Sequence, residues 1–335
     1  MKNLAIVILN WNGAALLERF LPSVVTHSQA DAQIYVADNG STDSSLAFLA
    51  QNYPHIKRIC LPQNYGFAGG YNQALKELKE PLLCLLNSDI AATANWLSPI
   101  LEAFKLDPDL AIAQPKILDE LKKTHFEYAG AAGGYLDALG YPFCRGRIFQ
   151  SIEKDQGQYN NKQDIFWASG ACLFIRNTVF KELRGFDEGF FAHQEEIDLC
   201  WRAQNKGHKI QYIGSSQVYH LGGSTLSNMN PFKTYLNFRN SLFSLLKNLP
   251  LKKSFFLIFI RLLLDGVAGV RFIFQGKPKH CLAIIHAHFA FYKGAKKMYA
   301  KNNLPIKPLK YNYSSSIVWL HYAKGLKKFS LLVKD

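Results

Sequence analysis

The segment Leu4–Val25, LAIVILNWNGAALLERFLPSVV, decides the fold. Leu4–Leu9 is a short apolar run rich in β-branched side chains, the pattern of a buried strand. Asn10-Trp11-Asn12-Gly13 is turn chemistry, and AALLERFLPSVV repeats its apolar positions at helical spacing. The same unit recurs downstream. QIYVAD (33–38), IKRICL (56–61), PLLCLLN (81–87) and AIAQP (111–115) predict strands. SSLAFLAQN (44–52), FAGGYNQALKEL (67–78) and NWLSPILEAFK (95–105) predict helices between them. Such alternation with short connections predicts an α/β fold built on a doubly wound, mostly parallel sheet. Ligands on these sheets bind beyond the carboxyl ends of the strands. Those ends read NWNG, DNGSTD and NSD, which are polar and acidic.

Further along, the pattern loosens. Residues 116–165 predict irregular strands and a loop. FWASGACLFIR (166–176) predicts a strand passing Gly170, EEIDLCWRAQNKG (195–207) a helix ended by Gly207, and HKIQYI (208–213) a further strand. Asp198 and Arg202, four residues apart on that helix, predict a surface pair. The six cysteines form no CxxC pair, and Cys84 and Cys172 sit in apolar runs. They predict reduced, buried thiols of a cytoplasmic protein.

Of the 335 residues 48% are hydrophobic and 19% charged, which excludes wholesale disorder. The formal charge of +14 is unevenly spread. Residues 231–335 hold 19 lysines and arginines against two acids, Asp265 and Asp335, whereas residues 1–230 hold 20 basic and 23 acidic side chains. This predicts a near-neutral domain over 1–230 and a basic helical region over 231–335. Because the positive charge lies outside the motif-bearing part, nucleic acid is not the expected partner. Leu4–Leu9 is too short for the core of a secretion signal. The longest apolar stretch, Phe255–Phe274, is interrupted by Arg261, Asp265 and Arg271, so it reads as an interfacial rather than a spanning helix. Lys252, Lys253, Arg261, Arg271, Lys277 and Lys279 would then lie near anionic headgroups, with His286–Lys301 extending that surface. The alternatives are packing on the first domain and pairing with a second copy as a homo-oligomer.

The candidate site residues cluster at the strand ends. Asp38, with Asn39 after it, can accept hydrogen bonds from a nucleoside or close an Asx turn, and Asp43 can cap a helix. A rival reading, a dinucleotide oxidoreductase, predicts GxGxxG in the first turn, and Asn10–Gly13 holds a single glycine. The turn Gly66–Asn72 brings glycines to a helix start, where they permit either close approach to a phosphate or helix–sheet packing. Asn87-Ser88-Asp89 puts a carboxylate at the end of a buried strand, where it can bind a divalent cation with diphosphate oxygens or cap the next segment. Glu195 and Glu196 open a helix. Adjacent positions point about 100° apart, so one can face a cleft as a general base while the other makes a structural contact. His220 precedes Leu221-Gly222-Gly223-Ser224, a loop that could close over an anion.

Taken in order, ILNWNG, VADNGSTDSS, NYGFAGGYN, LLNSDI, WASGACLFIR, GFDEGFFAHQEEIDLCWR and VYHLGGST resemble the glycosyltransferase family 2 pattern, in its rhamnosyltransferase-like bacterial branch. The resemblance spans about residues 4–225 and continues weakly into Tyr235–Asn240. It implies a GT-A fold and an inverting transfer of a sugar from a nucleotide-diphosphate-sugar donor. The implied acceptor is a hydroxyl of a glycan or of a lipid-linked glycan in cell-surface polysaccharide synthesis, at the inner face of the membrane. It implies that Asn10, Trp11, Asn12, Gly13, Asp38 and Asn39 hold the nucleoside, and that Gly66, Asn72 and Gly170 line the pocket. Asn87, Ser88 and Asp89 stand at the DxD position, with Asp89 and His220 on Mn2+ or Mg2+. Glu195 and Glu196 stand at the Glu-Asp position, Glu196 serving as the base. The sequence departs from the pattern at Asn87 and Glu196. An alternative from another class is a membrane-docked sugar-binding protein that keeps the fold without turnover.

Overall fold

The computed structural model describes residues 2–222, 230–302 and 309–332. Strand β1 (Leu4–Asn10) is followed by α1 (Ala14–Ser28), β2 (Ala32–Asn39), α2 (Ser45–Asn52), β3 (Lys57–Leu61), α3 (Gly66–Leu75) and β4 (Leu82–Asn87). Then come β5 (Ile90–Ala92), α4 (Ser98–Leu106), β6 (Leu110–Asp119) and the short strands β7 (Gly134–Asp137), β8 (Pro142–Cys144), β9 (Arg147–Ile148), β10 (Ser151–Ile152) and β11 (Lys162–Asp164). The chain continues through β12 (Cys172–Arg176), α5 (Asn177–Glu182), α6 (Glu195–Asn205) and β13 (Lys209–His220). It closes with α7 (Pro231–Asn248), α8 (Leu251–Phe274), α9 (Pro278–Tyr299), β14 (Asn312–Ser314) and α10 (Ile317–Tyr322).

The main sheet runs β11-β13-β6-β12-β4-β1-β2-β3, with β5 on β13. β4, β1, β2 and β3 are parallel, as are β6 and β13. The expected α/β sheet is therefore present, but β12 enters antiparallel between β4 and β6. The central strands are buried along nearly their whole length, which is why they read as apolar runs rather than alternating ones. Cys60 departs from the expected buried thiol: β3 is the sheet edge, and Cys60 is exposed, whereas Cys84, Cys144, Cys172 and Cys200 are buried.

Several boundaries differ from the sequence expectation. The strand expected over 166–176 forms only from Cys172, because Ser169 N is taken by the Gln114 side chain at 2.7 Å and Trp167 bridges to Gly134 in the smaller sheet. β13 does not stop at 213. It bulges between Ile213 and Gln217, where bare Gly214 passes the backbone of Tyr159 and Asn160, and then runs to His220. That extension matters for the site. β5 pairs antiparallel with its last turn of chain, setting Ile90 opposite His220.

The second sheet, β10-β9-β8-β7-β14, takes its last strand from the far end of the chain. α7 lies on α6. Its Leu236, Leu242, Leu245 and Leu246 are buried. Asp198 is also buried, and here the structure corrects the sequence expectation of a surface pair. Its carboxylate accepts hydrogen bonds from Arg202 Nε at 2.7 Å, Lys247 Nζ at 2.9 Å and Asn248 Nδ2 at 3.0 Å. The i, i+4 spacing was legible; the helix packed over it was not. Among the described residues no helix is long and apolar enough to cross a membrane.

Candidate active site

The first two strand ends form one cross-bonded rim. Asn10 donates to Asp38 Oδ1 at 3.1 Å, and Asp38 Oδ2 accepts from Ser41 N at 3.0 Å. Asn12 N donates to Ser41 Oγ at 2.9 Å, and Asn12 Oδ1 accepts from Thr42 N at 2.7 Å. Asp43 bonds the first amide of α1 and that of Ser45, so one carboxylate serves both helix starts. Gly13 packs closely on this rim: a Cβ there would stand 2.4 Å from Asn10 Oδ1 and require that side chain to move. Trp11 is 47% exposed at the lip, and Asn10 Oδ1 is buried without a protein hydrogen-bond partner.

Asn39 and Asn72 are drawn into scaffolding. Asn39 bonds Asn64, Gly66 O and Tyr65 N, all at 3.0 Å. The Asn72 side chain bonds both backbone groups of Phe186 at 2.9 Å and Glu188 at 3.1 Å. The amides of Phe67 and Ala68 at the start of α3 donate to Phe191 O at 3.1 and 3.3 Å. Gly66, at φ +73°, faces the Phe191 ring 2.8 Å from where a Cβ would sit. Of the two roles open to this glycine turn, packing is the one seen: it seats the loop ahead of α6.

At the end of β4, Asn87 and Ser88 are half-buried and Asp89 is buried. The β5–β13 pairing brings His220 onto Asp89, with Nε2 3.0 Å from Oδ1 and Leu221 N donating to Asp89 O at 3.1 Å. Asn87 Nδ2 is 3.4 Å from the same ring nitrogen. Nδ1 stands 3.3 Å from Glu127 Oε2, an acid the sequence reading passed over. Glu127 lies in the irregular 116–165 stretch, and its backbone bond to Ile117 O hangs it beside β6, the neighbour of β13. Burial alone would lower the imidazole pKa, but Glu127 and Asp89 override it and hold it up at about 10. Gly223 and Ser224, expected in an anion loop, lie outside the described residues.

The carboxylates around His220 therefore favour positive charge there, and a divalent cation that took the place of the imidazole proton would meet carboxylate oxygen and imidazole nitrogen. That chemistry fits Mn2+ or Mg2+. Among the described residues no three or more His, Cys, Asp or Glu side chains are arranged as a metal cage, so phosphate and water oxygens would have to complete the shell.

Glu195 and Glu196 follow a strained approach. Phe191, His193 and Gln194 all have φ between +65° and +73°, unusual for residues with a Cβ. α7 holds this segment. Asn240 Nδ2 reaches the carbonyls of Phe190, Ala192 and His193 at 2.8–3.0 Å, and Arg239 reaches those of Gly189 and Phe190 at 3.1 Å. The two glutamates then diverge. Glu195 is buried, and burial followed by the Glu196 charge raises its carboxyl well above the usual range. Glu196 is only half-buried, and burial brings its carboxyl up to about 7. The Oε2 of each lacks a hydrogen-bond partner. Bare Gly170 sits against Glu196, a Cβ there lying 3.8 Å from that of Glu196, and Ala171 O accepts from Asn87 N at 3.0 Å. The Gly170 loop thus links the base candidate to the end of β4.

A family model described as glycosyl transferase family 2 matches residues 5–184. The match ends before Glu195, Glu196 and His220. An N-acetylglucosaminyl-diphospho-decaprenol L-rhamnosyltransferase of Mycobacterium tuberculosis is 24% identical over 231 residues, covering 65% of this chain and 75% of that protein. Among solved structures, Staphylococcus aureus TarS 1–349 in complex with UDP-GlcNAc superposes with a TM-score of 0.57 at 15% identity, over 90% of this chain and 84% of that one. GalNAc-T7 with UDP, GalNAc and Mn2+ gives 0.54 at 19% identity, over 65% of this chain and only 43% of that one. At these identities the structural likeness establishes the GT-A fold.

Proposed function

The chain belongs to glycosyl transferase family 2, and from that premise we propose that it is an inverting enzyme. It moves a sugar from a nucleotide-diphosphate-sugar to a hydroxyl of a glycan or lipid-linked acceptor in cell-surface polysaccharide synthesis. The observation that carries this is Glu196: a half-buried side chain whose carboxyl burial lifts to about 7, beside the Gly170 loop and the end of β4. A group with that pKa is both ionised in good measure and basic enough to accept a proton at neutral pH.

In the proposed reaction the rim from Asn10 to Gly13, with Asp38, receives the nucleoside, and Trp11 offers a flat apolar face for the base. The acceptor oxygen attacks the anomeric carbon as the bond from that carbon to the diphosphate oxygen breaks. Glu196 takes the hydroxyl proton, and the nucleoside diphosphate leaves with the electron pair. A single displacement with one base and no enzyme nucleophile inverts the anomeric centre. Asp89 and His220 would hold the divalent cation, Mn2+ or Mg2+, which when bound supplies Lewis-acid neutralisation of the diphosphate charge. Glu195, buried behind its neighbour and kept protonated, acts on the position of Glu196.

Deoxythymidine-diphosphate-rhamnose and uridine-diphosphate sugars are the first donors to try, the former from the named activity of the mycobacterial relative, the latter from the ligand of the TarS complex. The test is a donor panel assayed for release of nucleoside diphosphate, with and without Mn2+. Release from one donor, faster with acceptor present, is the expected result. Binding of a donor without release by the native chain and by any acceptor mixture would favour the non-catalytic sugar-binding reading instead.

A further inference from the structure

Helix α8 is amphipathic the wrong way round for a water-facing helix. The side it turns to the protein includes Ser254, Arg261 and Asp265. Arg261 is 2% exposed, donates to Leu139 O and Ser241 Oγ at 3.2 and 2.7 Å, and covers the Tyr141 ring at 3.6 Å. It is therefore not among the headgroup contacts the sequence suggested. Asp265 is 1% exposed and pairs with His288 at 3.1 Å. The outward side instead carries Phe256, Phe259, Leu263, Val267, Val270 and Phe274, at steps of three and four along the whole helix. α9, which packs beside it, repeats the pattern with Leu282, Ile285, Phe289 and Tyr292, all exposed. A helix that buries ions and exposes phenylalanines is matched to a solvent other than water.

Charge identifies that solvent. Lys252 and Arg271 lie in the α8 stripe at helical spacing from Phe256 and Val267. Lys279, Lys293 and Lys296 stand in the same relation to the α9 stripe, and all are exposed. Asp265, the one acid between residues 231 and 332, is buried. A second copy placed face to face would bring lysines against lysines with no carboxylate to answer them. An apolar stripe edged by cations fits an anionic lipid surface. We propose that the outer face of α8 and α9 docks on an anionic phospholipid bilayer, the helices lying in the interface plane. An apolar groove of about 450 Å³ opens on the same face between Phe255, Phe259, Phe291 and Tyr292, and has room for part of an acyl chain.

The face also has an orientation relative to the site. Thr234 bonds His280 at 2.7 Å and Phe272 stacks on His280, so the α8–α9 tip sits at the amino end of α7. There Phe232 meets Phe191, three residues before Gln194 and the glutamates. The bilayer-facing stripe thus ends next to the segment that sets the base. Docking rests on the surface chemistry alone; only its use, delivery of a lipid-linked acceptor, rests on the proposed transferase activity.

The experiment is co-sedimentation of the full chain with phosphatidylcholine vesicles, with and without phosphatidylglycerol, at low and high salt. Three proteins are compared: native chain, Phe259→Glu/Val267→Glu and Lys279→Gln/Lys293→Gln/Lys296→Gln. All five side chains are exposed, so circular dichroism and donor hydrolysis should match the native chain, which separates a failure of docking from a failure of the catalytic reading. Native binding should be at least about tenfold stronger to anionic vesicles and weaken with salt. The glutamate pair should lose binding to both vesicle types, and the glutamine triple should lose the anionic preference. Equal binding to neutral vesicles, undiminished binding by the glutamate pair, or a soluble dimer that the glutamate pair disperses would each overturn the proposal.

Discussion

Glu195 and Glu196 are chemically almost the same group, separated by one peptide, yet the fold gives them different surroundings. Glu195 is buried and Glu196 half-buried. Replacing Glu196 with Gln keeps shape and hydrogen bonding but removes the proton acceptor. Turnover should fall by roughly 10²–10⁴, with donor affinity measured by calorimetry little changed. Glu195→Gln should cost less, and a larger loss there would reverse the assignment within the pair. The pH profile is a second check. Because a base must be ionised and burial lifts Glu196 to about 7, activity should rise with pH through that value and fall about tenfold per unit below it. The ascending limb should vanish in Glu196→Gln. At the strand end, Asp89→Asn should weaken Mn2+-supported donor binding by about a hundredfold, and His220→Ala should weaken it less while shifting preference from Mn2+ toward Mg2+. Full activity in excess chelator would remove the cation from the account.

At the level of elements, α6 is held by α7. Lys247 bridges two carboxylates that α6 and the turn before it present, Asp198 at 2.9 Å and Asp187 at 2.8 Å. Burial works against ionising either acid, but Lys247, with Arg202 at Asp198, overrides it and keeps both carboxyls below the usual range. Lys247→Ala leaves each acid one remaining cation, Arg202 or Lys301, so the loss should be at the low end of that for a broken buried pair, about 3 kcal/mol. Thermal and urea unfolding would measure it. The sign with pH follows from the depressed carboxyls. Their stabilisation is full above about pH 4, the ordinary aspartate value, and drains away as the pH falls toward their folded-state pKa. A Lys247→Ala chain should accordingly show a flatter acid limb than the native one. Since α7 also grips the carbonyls before Glu195 through Asn240, Asn240→Ala should reduce turnover more than it changes donor affinity.

For the whole molecule, the basic last third divides between two tasks. α7 completes the core against α6, and β14 closes the smaller sheet by pairing with β7. α8 and α9 turn their apolar sides outward. A fragment ending at Asn230 would lose the leucines of α7, each contributing about 1.5–3 kcal/mol when buried, along with Lys247, one of the two cations of Asp198. It should give a broadened, low-temperature melt and rapid proteolysis of 185–205. A cooperative, native-like melt of that fragment would mean that the first domain needs none of α7.

The sequence by itself determined the α/β sheet, because buried parallel strands must be short continuous apolar runs, and the polar strand ends at Asn10, Asp38 and Asn87 mark where such a sheet binds ligands. It also offered Glu195, Glu196 and Asp89 as candidates, since these lie in contiguous motifs. It could not reveal what depends on pairing between distant segments. Glu127 reaches His220 only because β6 and β13 are neighbours. Asp198 is buried only because α7 lies over it. How the chain approaches the two glutamates is set by the left-handed residues before them and by Asn240, far along the chain. The outward apolar face of α8 is likewise invisible in one dimension. A periodic stripe states that a helix has two sides, and only packing decides which side is turned to the protein.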